Sequence, residues 1–294
     1  MIPGAVTMYR QYGNPMVRLH TFDRQLGDHG KNVSRNSLGF NSLGSEEFVY
    51  NICRQREMGD VTIPIIAQIT LNKEMYEPAN RHMIPGMIAA TVKKVMPVAD
   101  AIELGLTSPN TLGMRDAQDA EEFTYANVMA ANETIDGSMP LSFKGDGDGG
   151  EERLEMYCRL VERTGLGILS LINSTALERI KVKYMAADMP GGLAGSDPEY
   201  QQLALDSVRY LYEGVGDRVD IIGMGGVDSA DQAVRMFKAG ASAIGVNTAI
   251  RKLGLRTMRV INGGLSVHRE VQAVDLLDQL IGSGTSRCPK YLAR

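Results

Sequence analysis

Residues 219–248 read Val-Asp-Ile-Ile-Gly-Met-Gly-Gly-Val-Asp-Ser-Ala-Asp-Gln-Ala-Val-Arg-Met-Phe-Lys-Ala-Gly-Ala-Ser-Ala-Ile-Gly-Val-Asn-Thr. An apolar run, Asp220–Met224, is short and nearly continuous, as expected of a strand buried on both faces. Gly225-Gly226 punctuates it. Asp228 before Ser229-Ala230 marks a helix start, and an amphipathic stretch runs to Ala239. Gly240 suits a helix C-cap. Ala243–Asn247 then repeats the strand signature. The unit is strand–helix–strand, which demands a parallel crossover.

The same alternation extends along the chain. Further strands are expected at Ala5–Met8, Ile63–Ile69, Ala101–Leu106, Leu141–Lys144 and Leu166–Ile172. Helices are expected at Ser45–Glu57, where Ser45 before Glu46-Glu47 signals a start, and at Met83–Met96, Asp116–Asn132, Gly150–Thr164, Pro198–Glu213 and Ser229–Ala239. Seven strands over roughly 250 residues favour an α/β (β/α)₈ TIM barrel over an open doubly wound sheet. No GxGxxG follows the first strand, which argues against a dinucleotide-binding open sheet. Residues 1–250 are expected to form the barrel and 251–294 a C-terminal helical tail packing on it. In that tail Leu255–Ile261 and Ser266–Leu280 read as helical, interrupted by Gly263-Gly264.

Composition sets limits on function. The chain has 294 residues, with 31 basic and 35 acidic side chains and a net charge of −4. That balance offers no electrostatic case for nucleic acid or an anionic membrane. Cys53, Cys158 and Cys288 are widely spaced, and the four histidines include no HxxxH pair, so neither a disulfide scaffold nor a metal site is expected. No apolar run reaches the ~20 residues of a membrane span. The start, Met1-Ile2-Pro3-Gly4, lacks the pattern of a signal peptide, and a cytoplasmic location is expected, with peripheral membrane association left open. Glycine is in excess, 32 of 294 residues, against a usual ~7%. Such an excess without low complexity points to tight turns and close backbone approaches to a ligand.

In a barrel, function sits at the C-terminal ends of the strands. Ala101–Leu106 is followed by Thr107-Ser108-Pro109-Asn110, which offers a hydroxyl and an amide, or an ordinary turn. Leu141–Lys144 ends in a lysine that can hold an anion or an electron-rich ring, form a Schiff base, or simply reach solvent. Residues 145–150, Gly-Asp-Gly-Asp-Gly-Gly, lack the last ligand of a calcium loop and read as a flexible acidic turn. Leu166–Ile172 ends in Asn173-Ser174, suited to a planar heterocycle or to capping a helix. Three glycine segments, 191–195, 223–227 and 245–248, follow in the order in which barrels build phosphate sites.

Taken in order, these motifs resemble the dihydroorotate dehydrogenase family, FMN-containing (β/α)₈ barrels. Gly13-Asn14-Pro15 with Arg18 resembles the family's GNPxPR segment, and residues 36–41, Asn-Ser-Leu-Gly-Phe-Asn, its NxxGFxN segment. Glu103 to Asn110, ELGLTSPN, resembles xxNxSxPN. Lys144 falls on the flavin-binding lysine, Asn173-Ser174 on an Asn-Ser/Thr pair, and GGLAG, GMGGV and GVNTA on the FMN phosphate region. The resemblance implies oxidation of dihydroorotate to orotate in pyrimidine biosynthesis. Ser108 would remove the C5 proton and the C6 hydride would pass to flavin N5. Asn36, Asn110, Asn173 and Ser174 would hold the pyrimidine. Lys144, Gly195, Gly225, Gly226, Asn247 and Thr248 would bind FMN. No metal is implied, and a homodimer is an expectation of the resemblance. Serine at the base position resembles the quinone-linked class, while the electron acceptor itself stays open between quinone, fumarate and NAD.

The chain departs from the family pattern at Gly105, where the family has Asn, and at Met8, where it usually has a polar residue. The family's first barrel strand has no counterpart, so the barrel is expected to be N-terminally shortened, with exposed edges that another segment or chain would cover. Two alternatives follow: a flavin-binding paralogue with altered substrate or lost activity, and a non-redox, phosphate-binding barrel lyase or isomerase.

Overall fold

The short apolar runs become strands because each is covered on both faces. In the computed structural model, which describes residues 1–15, 17–22, 33–109, 121–186, 189, 191–274 and 277–286, seven of them form one all-parallel sheet. Its members are β1 (Ala5–Val6), β4 (Ile66–Ile69), β5 (Ala101–Leu104), β6 (Leu141–Lys144), β7 (Ile168–Leu171), β9 (Asp220–Met224) and β10 (Ala243–Gly245), side by side in that order. These are the seven strands expected from the sequence. The register advances steadily, with Ile66 opposite Ala101, Ile102 opposite Leu141, Ser142 opposite Ile168, and Ile168 opposite Asp220. The sheet curls into a half-barrel whose two edges are β1 and β10, and no strand pairing joins those edges among the described residues.

Helices α1 (Ser45–Glu57), α2 (Ile84–Val95), α3 (Glu121–Ile135), α4 (Gly150–Thr164), α5 (Glu178–Lys181), α6 (Pro198–Val215) and α7 (Ala230–Ala239) connect the strands. Their apolar stripes close the outer face of the sheet. Ile84, Ile88, Val92 and Val95 of α2 recur at helical spacing and are fully buried. The two predicted start signals resolve differently. Gly44, not Ser45, caps α1, and the Ser45 hydroxyl donates to the Met8 carbonyl at 3.0 Å. Ser229, not Asp228, caps α7 by accepting from the Gln232 N–H, and Asp228 accepts from the Ser196 hydroxyl at 2.5 Å. Gly240 does close α7 in the left-handed conformation, φ 113°.

A second sheet was not expected from the sequence. Strands β2 (Leu19–Phe22), β3 (Val33–Asn36) and β8 (Gly192–Gly195) form an antiparallel trio, β2-β3-β8. β8 is the glycine segment read as a phosphate loop.

The tail also differs. Gly263-Gly264 does not interrupt it: a single helix, α9 (Arg256–Val267), runs through both, after the short α8 (Thr248–Leu253). Gly264 lies where a Cβ would come 2.7 Å from Ala230 Cβ, so this glycine lets α9 press on α7, while nothing lies within 4 Å of the Cβ position of Gly263. Among the described residues, the stretch read as one helix over Ser266–Leu280 holds the last two residues of α9, then α10 (Arg269–Gln272) and a 3₁₀ turn, Leu277–Gln279. No described helix is long and apolar enough to cross a membrane.

Candidate active site

Three neighbouring strands deliver their ends to one place. Beyond β5 the chain continues to Thr107 and Ser108, both buried. The Thr107 hydroxyl donates to the Lys144 carbonyl at 2.9 Å, tying the end of β5 to that of β6. The Asn173 side-chain amide donates to the same Thr107 oxygen at 3.4 Å, tying in the end of β7. The Asn173 N–H donates to the Gly145 carbonyl at 2.9 Å, and Tyr200 donates to the Asn173 carbonyl at 3.1 Å. Ser108, Lys144 and Asn173 are thus brought together by a hydroxyl, Thr107, that sequence reading passed over.

The Lys144 side chain is half-buried, and its ammonium has no ion pair or hydrogen bond among the described residues. A cation left without a counter-charge at the mouth of a sheet is poised for an anionic or electron-rich ligand.

The antiparallel trio folds over this mouth. Asn36, the last residue of β3, pairs with Gly192 of β8 and with Leu19 of β2. Gly192 in turn sits where a Cβ would lie 2.3 Å from the Ser174 hydroxyl oxygen and 2.7 Å from Pro109 Cγ. A Cβ at Gly191, which has φ +106°, would lie 2.4 Å from the Asn36 carbonyl oxygen. Only residues without side chains allow β8 to press this closely. Asn36, Ser108-Pro109 and Ser174, more than 130 residues apart at the extremes, therefore meet at Gly191-Gly192. Asn110 lies outside the described residues.

The remaining glycines form a second cluster. Gly226, φ +75°, approaches Gly195 so closely that a Cβ would lie 2.4 Å from the Gly195 carbonyl oxygen. Gln201 donates to the Gly226 carbonyl at 2.8 Å and fixes the loop. Gly225, φ +130°, leaves no space for a side chain against Ala204, 2.5 Å away. Helix α8, which begins at Thr248, packs against β8, and Asn247 precedes it without a side-chain capping bond. The five residues expected at the phosphate fall at the end of β8 (Gly195), in the loop after β9 (Gly225, Gly226) and at the start of α8 (Asn247, Thr248).

Residues 145–150 are not a flexible turn. Asp146 is 2% exposed, accepts from the Asp148 N–H at 3.1 Å, and lies 4.0 Å from Arg153. Asp148 accepts from the Thr175 hydroxyl and the Ala176 N–H, each at 2.6 Å. The acidic residues clamp the loop after β6 to the loop after β7.

Below the mouth lies a polar belt that sequence reading did not single out. Glu103 is fully buried; it accepts from the Gln68 amide at 2.5 Å and from the Ser170 hydroxyl, which lies 3.3 Å from that of Ser142. The signal was present: Glu103 and Thr107, Ser142 and Lys144, and Gln68 and Thr70 place polar groups at even spacing on one face of otherwise apolar strands.

Comparison with known proteins places this architecture. A relative from Rhodococcus erythropolis, named dihydroorotate dehydrogenase (quinone), is 30% identical over 292 residues, covering 97% of this chain and 75% of that protein. One of the same name from Prochlorococcus marinus is 27% identical, covering 96% of this chain and 70% of that protein. The crystal structure of a ligand-free dihydroorotate dehydrogenase from Eimeria tenella superposes with a TM-score of 0.83 at 22% identity, over 96% of this chain and 80% of that one. The dihydroorotate dehydrogenase family profile matches residues 1–268, so the chain belongs to the dihydroorotate dehydrogenase family, oxidoreductases acting on CH–CH bonds.

Proposed function

We propose that this chain oxidises dihydroorotate to orotate with FMN held by Lys144 and the glycine cluster, and with Ser108 as the base. The observation that carries this reading is the Thr107 bridge, which ties the backbone of Lys144 and the side chain of Asn173 together next to Ser108, with the Lys144 ammonium left without a partner among the described residues. The donor set fits the cofactor. Gly195, Gly225 and Gly226 leave backbone surface free of side chains, as close approach by a phosphate requires, and Lys144 offers a cation to the electron-rich ring.

When bound, FMN supplies the two-electron acceptance that desaturating a C–C bond requires. The protein does the rest. Ser108 receives the C5 proton as its own hydroxyl proton passes along a hydrogen bond to an acceptor, and burial of the serine keeps bulk water from competing for it. Asn36, Asn173 and Ser174 offer amide and hydroxyl groups that match a ring bearing two carbonyls and two N–H groups. Lys144 offsets negative charge as it accumulates in the site. The relatives' common name supports a quinone as the electron acceptor. A homodimer and a cytoplasmic location remain part of this reading, as does the division into a barrel over 1–250 and a tail over 251–294.

The test is the absorbance spectrum of the purified chain after reconstitution with FMN, followed by anaerobic addition of dihydroorotate. Binding of flavin and bleaching of its visible band are expected. Failure to bind FMN overturns the reading. Reoxidation assayed with a soluble quinone, fumarate and NAD then identifies the acceptor.

A second reading, a flavin-binding paralogue with another substrate, draws on one observation: Gln68 occupies the space beside Gly105. It predicts a flavin band that dihydroorotate leaves unchanged.

A further inference from the structure

Residues 232–269 contain seven lysines and arginines and no aspartate or glutamate, while the rest of the chain holds 24 basic and 35 acidic side chains. An acidic protein therefore carries one strongly basic segment. On its other helices arginines find carboxylates: Arg56 with Asp100, Arg159 with Glu121, Arg163 with Glu122, Arg179 with Glu199 and Arg218 with Glu162. Arg251, Arg256, Arg259 and Arg269 are exposed, and their side chains make no ion pair or hydrogen bond with any described residue.

Exposed apolar side chains stand among these cations. Leu255 is 80% exposed, Val260 61% and Val267 67%. On α9, Arg256, Val260, Gly263 and Val267 recur at i, i+4, i+7 and i+11, which is one stripe of a helix. The adjoining side, Thr257, Ile261 and Gly264, about 100° round the helix, is the one turned to the protein, with Gly264 against Ala230, while all four stripe residues are exposed. The stripe therefore faces outward. A helix with unpaired arginines and protruding aliphatic side chains has the make-up of an interfacial membrane element.

We propose that α9 and its flanks form a docking face for an anionic lipid surface, with the arginines on the headgroups and Leu255, Val260 and Val267 entering the acyl boundary. Charge complementarity alone would also suit a nucleic acid. Two features select the bilayer. The protruding aliphatic residues have no use on a phosphate backbone, and residues 238–290 contain no Phe, Tyr or Trp on which a base could stack. The contact is with the surface only, because no described helix can span the bilayer. This inference does not depend on the redox reading.

The test is co-sedimentation of the full chain with phosphatidylcholine vesicles, with and without phosphatidylserine, at low and high salt. Binding is expected only with phosphatidylserine, weakening as salt rises. Each neutralised arginine near the surface lowers partitioning about fivefold. The double variant Arg256→Glu, Arg259→Glu should thus lose at least about tenfold. Val260→Ser with Val267→Ser should also lose binding, with an unchanged circular dichroism spectrum in both variants. No binding to phosphatidylserine vesicles, or binding that both variants leave intact, overturns the proposal. So does binding that the arginine variant abolishes and the valine variant leaves whole, together with equal affinity for a single-stranded oligonucleotide: the face would then be a general polyanion patch.

Discussion

The side chain of Gln68 lies across Gly105, so that a Cβ at Gly105 would come 3.0 Å from Gln68 Cγ and 3.1 Å from its Cδ. Gln68 is not free to swing away, because its amide donates to the buried Glu103 carboxylate. A carboxylate only accepts, so the Gln68 nitrogen faces Glu103 and its carbonyl oxygen faces position 105. Replacing Gly105 with Asn, the residue typical of the family, is therefore not a simple restoration. Gly105→Asn alone should destabilise the fold by about 1–3 kcal/mol through overpacking. Gln68→Ala costs stability of its own by taking a donor from Glu103, but in that background the further cost of Gly105→Asn should largely vanish. Urea unfolding of the single and double variants checks the expectation, and additive effects would show that the pair is not coupled.

Lys144→Ala separates binding from folding. The ammonium supports no other described residue, so its loss should change stability by no more than about 0.5 kcal/mol. Affinity for FMN should fall at least about tenfold, the equivalent of one charge-assisted contact of about 1.5 kcal/mol. Titration of flavin fluorescence measures the affinity for FMN, and thermal unfolding without FMN measures the stability.

Ser108→Ala should lower turnover of dihydroorotate by about 10²–10⁴, the usual contribution of a general base, while flavin content stays unchanged. Ser108→Cys should restore part of the rate, with the pH profile moved to lower pH because a thiol ionises more readily than a hydroxyl. Anaerobic stopped-flow reduction of the bound flavin at several pH values reads both outcomes. An unchanged rate in Ser108→Ala would remove the serine from the chemistry.

Gly226→Ala probes the glycine cluster. The new methyl would meet the Gly195 carbonyl oxygen at 2.4 Å in a backbone conformation, φ +75°, that alanine resists. Loss of FMN binding is expected, together with a destabilisation of about 1–3 kcal/mol. Gly137→Ala is a suitable control: its φ is also positive, +70°, but nothing lies within 4 Å of its Cβ position, so it should strain the backbone without touching the ligand.

One acid-sensitive link is visible in the fold. The Ile65 N–H donates to Asp100 at 2.8 Å; this bond first, then Arg56 at 2.7 Å, holds the Asp100 carboxyl below its ordinary value of 3.8 against the opposing effect of burial. A carboxyl whose pKa is depressed on folding contributes stability that is fully present above the unfolded value and lost as pH falls through the folded one. Asp100→Asn should therefore flatten the decline in stability below about pH 4. The side chain is half exposed, so the effect is small. Thermal unfolding between pH 3 and 6 compares the two proteins.

The sequence by itself determined the parallel framework. Each of the seven strands announced itself as a short, mostly apolar run, because a strand covered on both faces is mostly apolar; the single polar residues inside Ile168–Leu171 and Ala101–Leu104, Ser170 and Glu103, bond to each other in the buried belt. Ser108, Lys144 and Asn173 were singled out because they lie at the C-terminal ends of those runs, where a barrel carries its chemistry. The tertiary structure alone decided the rest. The antiparallel trio was illegible because β2 is mostly exposed and β8 is Gly-Leu-Ala-Gly, neither of which carries a strand signature. The acidic run 145–150 looked mobile because its hydrogen-bond partners, Tyr157, Thr175 and Ala176, are distant in sequence. Gly263-Gly264 looked like a break because propensity counts the entropy of glycine and not the close contact with Ala230 that offsets it. Helical and strand periodicity are local and can be read along the chain. Which glycine must be bare, and which carboxylate is clamped, depends on what arrives from elsewhere to touch it.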